Sequence, residues 1–395
     1  MNILSITGIL PIPGVLTHND FVFHIYKIYR DKYTEDSVEI IRTTQYKTNI
    51  KKIIRSQTDL DKLKKKYEWD IFGFRVTIFP FYSMRRLRNT NALSSFSAYF
   101  LNRKRLQKII SGFRPDLIHA QYIFPDGCVA YMLNKRYNIP YVITTHGELF
   151  FFKHFLARKI GLKVLRSASY VIPINYSSYL YFTKAGIKPI RYLPLGFNKS
   201  FVLEPKPVTK GPVNIITVAE LIRLKKIDKV IEALTKLPKS SYRYTIIGRG
   251  PEKSRLTALV QNLGLSDTVT FVDFVPHDQI ASELHKYDIF IMPSYPETFG
   301  RVYFEAMAMG IPIICAKNTG IYGFFKEGEE GLSVNHRNTN DIAEKLNYLI
   351  SNPDERARIG KAGKKLVENY TWETIIEEIH QIYTKVVNIK SRENE

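Results

Sequence analysis

In the stretch SYPETFGRVYFEAMAMGIP, Glu297 and Glu305 stand with seven residues between them. Pro296 and Gly300 bracket the first in a loop, whereas the second lies among strong helix formers. A chain that turns into a helix just after Gly300 leaves the first backbone N–H groups of that helix without partners. The partial positive charge of such an end favours a phosphate. A carboxylate accepts two hydrogen bonds from a vicinal diol, which a ribose or a hexose ring offers. Two carboxylates on different turns would therefore reach different parts of one extended ligand, with a sugar at each end and phosphates between. That is the chemical outline of a nucleotide sugar. The plain alternative is a surface glutamate ahead of a helix and a second glutamate in an ordinary ion pair.

A second group lies in the first half of the chain. His146 closes the apolar run YVITT and precedes Gly147, so its imidazole sits at a strand's carboxyl end and can donate a hydrogen bond there. A capping or core histidine is the competing reading. Glu148, two residues on, could orient an acceptor or the histidine. Directly after it, LFFFKHFLARKIGLKVLR interleaves Phe150, Phe151, Phe152 and Phe155 with Lys153, Arg158, Lys159, Lys163 and Arg166. Aromatic residues with a basic face suit an anionic lipid surface, and they equally suit an amphipathic helix packed on its own sheet.

Strands must position these groups. The runs NILSIT, DLIHA, YVITTH, SYVIPIN, VNIITVA, RYTIIG, TVTFVDF, DIFIMPS and PIICA are short and apolar. Amphipathic stretches such as DKVIEALTKL and PEKSRLTALVQNLGL separate several of them. Buried runs alternating with helices indicate parallel sheets made of β-α-β units. Two sheets are expected, one on each side of NKSFVLEPKPVTKGP, whose Pro and Lys content and lack of period read as a linker. In such sheets ligands bind beyond the strand carboxyl ends, and the candidate residues follow strands. With two such domains, the natural site is the cleft where those ends face each other.

The bulk numbers agree with an ordinary globular α/β protein: 395 residues, 45% hydrophobic and 24% charged, too long for one ordinary core. The formal charge of +21 calls for an anionic partner. Basic clusters crowd the first half, at Lys51, Lys52 and Arg55, at Lys62 and Lys64 to Lys66, at Arg85, Arg86 and Arg88, and at Arg103 to Arg105 with Lys108. Cys128 and Cys315 lack metal-ligand spacing and read as buried thiols of a reducing compartment. MNILSITGIL has no basic segment before it and suits a first buried strand better than a leader. No apolar stretch is long enough to span a bilayer. The expected location is cytoplasmic, with peripheral attachment to the inner face of the membrane.

PSYPETFGRVYFEAMAMGIPIICAKNTG resembles the signature of the retaining glycosyltransferases of the GT-B fold, group 1 or family 4-like: Glu, seven residues, Glu, then Ala-Met-Ala-x-Gly-x-Pro. RPDLIHAQYIFPDG, YVITTHGEL, RYLPLGFNKSF, KKIDKVIEAL and YTIIGRGPEKSRL resemble further blocks in family order, so the likeness covers nearly the whole chain. It implies two Rossmann-like domains facing a central cleft. The first would span residues 1–197, the linker 198–211 and the nucleotide-sugar domain 212–372, with a last segment, 373–395, crossing back to the first.

The resemblance further implies retaining transfer of a hexose-type sugar from a nucleotide-sugar donor to a glycan or lipid-linked glycan, with no cofactor and no required metal. The expected setting is surface polysaccharide or glycolipid synthesis. Carried over by position, Glu305 would bind the ribose and Glu297 the transferred sugar. The N–H groups of Thr298, Phe299 and Gly300 would hold the diphosphate, Lys225 would neutralise it as it leaves, and His146 would approach the donor sugar. Gly14 matches a glycine of the loop after the first strand. The chain departs from the pattern at Glu220, where the family has an arginine, leaving Arg223 as a candidate substitute, and at Lys226, where a glycine is expected. A same-fold nucleotide-sugar epimerase, a silent homologue and a basic nucleic-acid-binding protein are the alternatives. The last has no recognition motif, so nucleic acid is not expected as a partner.

Overall fold

The computed structural model of the chain describes residues 1–8, 21–47, 68–71, 73–83, 91–205 and 211–393. The chain divides into two compact units. One comprises Met1–Ile174, Ser178–Leu193 and Ile375–Glu395, and the other Asn175–Ser177 and Pro194–Thr374.

The first unit holds a seven-stranded sheet built from β1 (Asn2–Thr7), β2 (Ser37–Lys47), β3 (Glu68–Ile71), β4 (Phe74–Ser83), β5 (Leu117–Ala120), β6 (Tyr141–Thr145) and β7 (Tyr170–Pro173). Its order is β3-β4-β2-β1-β5-β6-β7, with β3 antiparallel to β4 and the other pairs parallel. β5 and β6 are buried at every position, which is why their sequences are continuous and not alternating: helices cover both faces of a parallel sheet. The chain order reverses on either side of β1, so the switch point lies between β1 and β5.

The second unit repeats the plan with six parallel strands: β8 (Val213–Val218), β9 (Tyr242–Ile247), β10 (Val269–Val272), β11 (Ile289–Met292), β12 (Ile313–Ala316) and β13 (Leu332–Val334). The order β10-β9-β8-β11-β12-β13 puts the reversal between β8 and β11. All nine apolar runs singled out in the sequence are strands. β2, β3, β4 and β13 were not legible. β2 and β4 carry Arg42, Gln45 and Arg75 among their apolar residues, and β13 has only three residues, too few for any period.

The helix Trp372–Glu393 groups with the first unit from Ile375 onward. Ile375, Ile376, Ile379, Ile382, Tyr383 and Val386 are buried at helical spacing, and the His380 ring stacks on Tyr33 with centroids 3.7 Å apart. The linker reading of 198–211 needs correction over 198–205, which belongs to the second unit. Phe201 is buried there, the Leu203 carbonyl accepts from Lys364 Nζ at 2.8 Å, and the Glu204 carbonyl lies 2.8 Å from His285 Nε2. Three anchors on one short segment remove the freedom of a linker, whatever its Pro and Lys content. The boundary accordingly falls before Pro194 and not after residue 197. Gly14 and the basic clusters at residues 51–66 and 85–88 lie outside the described residues.

The helix Pro353–Val367 approaches closely the turn that follows the helix Arg301–Ala308. A Cβ on Gly360 would stand 2.0 Å from the carbonyl oxygen of Gly310, far inside contact distance. Gly360→Ala is expected to destabilise the second unit by about 1–3 kcal/mol through overpacking, read as an earlier thermal unfolding transition. An unchanged transition would mean that the helix can back away at no cost.

Candidate active site

At the carboxyl ends of β8 and β11, on the switch point of the second unit, one carboxylate gathers the surrounding loops. Glu297 Oε2 accepts from Lys225 Nζ at 2.7 Å and from Ser294 Oγ at 2.9 Å, while Oε1 accepts from the Thr298 N–H at 3.0 Å. Its backbone is held as firmly, with its N–H donating to Thr319 Oγ1 at 2.7 Å and its carbonyl accepting from Gly320 N–H at 3.0 Å. Lys225 comes from the turn Arg223–Lys225 after β8, so the ion pair joins two strand ends. The pair is largely but not wholly covered, with side-chain exposures of 21% and 11%.

Local backbone chemistry explains this arrangement. Gly300 has φ +79°, and a Cβ there would meet the Tyr303 ring at 2.5 Å, so only glycine lets the loop enter the helix over that ring. The Tyr303 hydroxyl in turn donates to the Met292 carbonyl of β11. Lys226, where a glycine was expected, adopts φ +54° and ψ +30° and starts the helix Ile227–Leu234. The site keeps the left-handed conformation, at a cost of about 1–2 kcal/mol for a side-chain-bearing residue.

Not every residue named from the sequence joins this cluster. Arg223 is 81% exposed and its Nε lies 3.4 Å from Glu252 Oε1, so it turns away from Glu297 and pairs with neither Glu297 nor Glu220. Glu220 is exposed, which keeps its charge out of the Lys225 cluster. Phe299 buries its ring against Phe304 and offers only its backbone. The Thr298 N–H already serves Glu297, leaving Phe299 and Gly300 as the donors of this set without a partner among the described residues. Glu305 is 4% exposed and pairs with Arg301 Nε at 3.2 Å, one turn back on the same helix. The ion pair that was the ordinary alternative for Glu305 is therefore present. Ser294, Thr319 and Arg301 had no signal in the sequence, because a loop hydroxyl or a helix arginine carries no spacing rule.

The first unit forms its own cluster at the ends of β1, β5 and β6. His146 is 6% exposed, and burial pushes its imidazole down to about 3, leaving it neutral at physiological pH. Its ring lies 4.7 Å from that of Tyr122, and its Nε2 stands 3.4 Å from Gln121 Oε1. Glu148 lies beneath it, accepting from the backbone N–H of His146 at 2.9 Å and of Ile123 at 2.6 Å. Burial pushes the Glu148 carboxyl up to about 8 against the pull of those donors. Asp126 binds the Gly8 N–H at 3.1 Å and the Thr43 hydroxyl at 2.7 Å, and burial raises it to about 7. Gln121, Tyr122 and Asp126 were missed; a polar residue directly after an apolar strand is a cue only in retrospect.

Residues 62–201 match the family model Glycosyltransferase Family 4, and residues 201–366 match Glycosyl transferases group 1. An uncharacterized glycosyltransferase of Methanocaldococcus jannaschii is 26% identical over 296 residues, which is 73% of this chain and 81% of that protein. The D-inositol 3-phosphate glycosyltransferase of Rhodococcus opacus is 34% identical over 160 residues, covering 38% of this chain and only 36% of its own length. Among solved structures, Anabaena HepE in complex with UDP gives a TM-score of 0.73 at 20% identity, over 98% of this chain and 100% of that one. At that identity the likeness speaks for the fold.

The Asp126 carboxyl holds its proton in the folded chain up to about pH 7, whereas its ordinary value is 3.8. Stability from this group is therefore present at low pH and is lost as pH rises from about 4 to about 7. Asp126→Asn keeps both contacts, accepting from Gly8 and donating to Thr43, but does not titrate. The melting temperature of the variant relative to the wild type should be higher at pH 8 than at pH 5. An equal difference at both values would show that Asp126 is ionised in the folded chain throughout.

Proposed function

The chain belongs to the group 1 glycosyltransferases of GT-B fold, and on that premise we propose that it transfers a hexose-type sugar, with retention, from a nucleotide-sugar donor to a glycan or lipid-linked glycan. The observation that carries this reading is the Lys225–Glu297 pair at the β8/β11 switch point, directly ahead of a helix N-terminus. The comparison with HepE, crystallised with UDP and in a further structure with UDP-glucose, supports a nucleotide-sugar donor.

In this reading the diphosphate meets the N–H groups of Phe299 and Gly300 and the ammonium of Lys225. These neutralise charge that develops as the sugar leaves, without a divalent ion. Glu297, held by Ser294 and Lys225, takes hydroxyls of the transferred sugar. Glu305 takes the ribose, which requires the Arg301 guanidinium to share or yield the carboxylate. His146, neutral in its buried setting, faces the donor sugar as a hydrogen-bonding group and not as a cation. The acceptor hydroxyl attacks on the face the diphosphate leaves: its oxygen bonds to the anomeric carbon as the bond to the diphosphate breaks, and its proton passes to the diphosphate.

The acceptor surface is read as membrane-facing. From residue 149 to 203 the sequence has nine Lys and Arg and no Asp or Glu. On the helix Phe155–Arg166, Ala157, Gly161, Val164 and Leu165 face inward. Phe155 and Leu156 remain 69% and 42% exposed, alongside the exposed Arg158, Lys159 and Lys163. A helix can bury one face on its sheet and still offer an aromatic, basic face to anionic lipid. Among the described residues no helix is long and apolar enough to cross a membrane. The reading thus places the enzyme on the inner face of the membrane, in surface polysaccharide or glycolipid synthesis.

Thermal-shift titration with UDP, GDP, ADP and their sugar conjugates tests the donor assignment. One nucleotide series should stabilise the wild type, by about 2.7 kcal/mol at a ligand concentration of 100 times Kd, and should fail to stabilise Glu305→Ala. With that donor, Glu297→Ala should lose on the order of 10²–10³-fold in kcat, the scale of a lost transition-state contact. Absence of any nucleotide shift, or a Glu297→Ala variant with most of its activity, would overturn the reading. Separately, the double variant Phe155→Glu, Lys159→Glu should cosediment less with vesicles containing anionic lipid, and unchanged cosedimentation would remove the membrane surface from it.

A further inference from the structure

Behind His146 runs a chain of buried polar groups that the transfer reaction as described does not use. Gln121, just past β5, presents Oε1 to His146 Nε2 at 3.4 Å. The Gln121 side-chain nitrogen donates to the Tyr26 hydroxyl at 3.1 Å and lies 3.4 Å from His119 Nδ1. His119 Nδ1 also faces the Tyr383 hydroxyl at 2.5 Å and that of Tyr26 at 3.1 Å, and His119 Nε2 lies 2.8 Å from Thr144 Oγ1 on β6. Tyr26 and Tyr383 are each 1% exposed, His119 and Gln121 2%, and Thr144 6%.

An assignment of donors and acceptors that fits these contacts starts from the Gln121 amide. The Gln121 amide nitrogen near His119 Nδ1 can only donate, so in this assignment Nδ1 accepts and the imidazole proton sits on Nε2, where it meets Thr144. Burial pushes His119 down to about 3, which excludes the doubly protonated form at neutral pH. With its amide nitrogen committed to Tyr26, Gln121 can turn only its carbonyl oxygen toward His146. A carbonyl oxygen accepts and cannot donate, so His146 must bring a proton on Nε2, and its Nδ1 is then an acceptor.

We propose that Gln121 is the positioning residue of His146, holding it in the Nε2–H tautomer through a buried relay that starts at Tyr383 on the C-terminal helix. The inference deepens the reading of His146 as a group facing the donor sugar, since a fixed tautomer decides whether its other nitrogen gives or takes a hydrogen bond. It also gives the returning helix a role beyond covering the first unit. Tyr383 brings its hydroxyl to His119 Nδ1 from 264 residues away in sequence.

The test is long-range 1H–15N spectroscopy of the full chain labelled at histidine, at pH 7, with resonances assigned from His146→Gln and His119→Gln. In the wild type both histidines should show a protonated Nε2 and an unprotonated Nδ1. Gln121→Met, close in volume and without the amide, should move His146 toward a tautomer mixture. An Nδ1–H tautomer for His146 in the wild type, or its retention of pure Nε2–H in Gln121→Met, would overturn the proposal. If Gln121→Met does not fold, the wild-type tautomers and Tyr383→Phe decide, the latter by a mixed His119 tautomer if the relay holds and an unchanged one if it does not. The spectra need neither donor nor acceptor, so failure of the transferase reading leaves this result standing.

Discussion

A carboxylate withdrawn from water must find donors or lose its charge, and this constraint organises both units. Each buried or nearly buried carboxyl at the strand ends ties together segments that are distant in sequence. Asp126 joins the end of β1, through Gly8, to β2, through Thr43. Glu148 joins the loop after β5 to the loop after β6. Glu297 joins the turn after β8 to the loop after β11. Parallel strands all deliver their loops to one edge, and loops without regular structure have backbone N–H groups to spare. A carboxyl group with two accepting oxygens satisfies two such loops at once. The same edge is where a ligand must bind, so the groups that hold the loops are also the groups nearest the chemistry.

The two clusters differ electrostatically in a way that fits a division of labour. The second-unit pair is partly open, and the Glu297 carboxylate is balanced by the Lys225 ammonium. The first-unit cluster is closed, with His146, Glu148 and Asp126 all buried. Burial there pushes His119 and His146 down and Asp126 and Glu148 up, all toward neutrality. A neutral, hydrogen-bonded setting is rigid without being charged. It suits a group that must present a hydrogen bond in one direction, as opposed to one that must shuttle protons.

Departures from the family pattern become intelligible at the level of backbone and exposure. Lys226 keeps the left-handed turn that glycine would adopt without strain, so the shape of the turn after β8 survives the substitution. Glu220, at the position of the family arginine, is exposed to solvent. Arg223, the candidate replacement for the missing arginine, is drawn to Glu252 instead. Among the described residues Lys225 is the cation that pairs with Glu297.

The sequence by itself determined the parallel α/β architecture, nine of the strands and the loop–helix junction at Glu297. These follow from local regularities: apolar runs of strand length, helix formers after Gly300, and the family's carboxylate spacing. It also singled out His146, Lys225 and Glu305. Only the tertiary structure decided what those residues touch. Lys225 meets Glu297 across 72 positions, and Tyr383 meets His119 across 264, distances over which no periodicity operates. It likewise decided that residues 198–205 are anchored, that Glu305 pairs with Arg301, and that Arg223 turns away. Spacing along a chain specifies which face a side chain takes, but the partner on the other side of that face is chosen by packing.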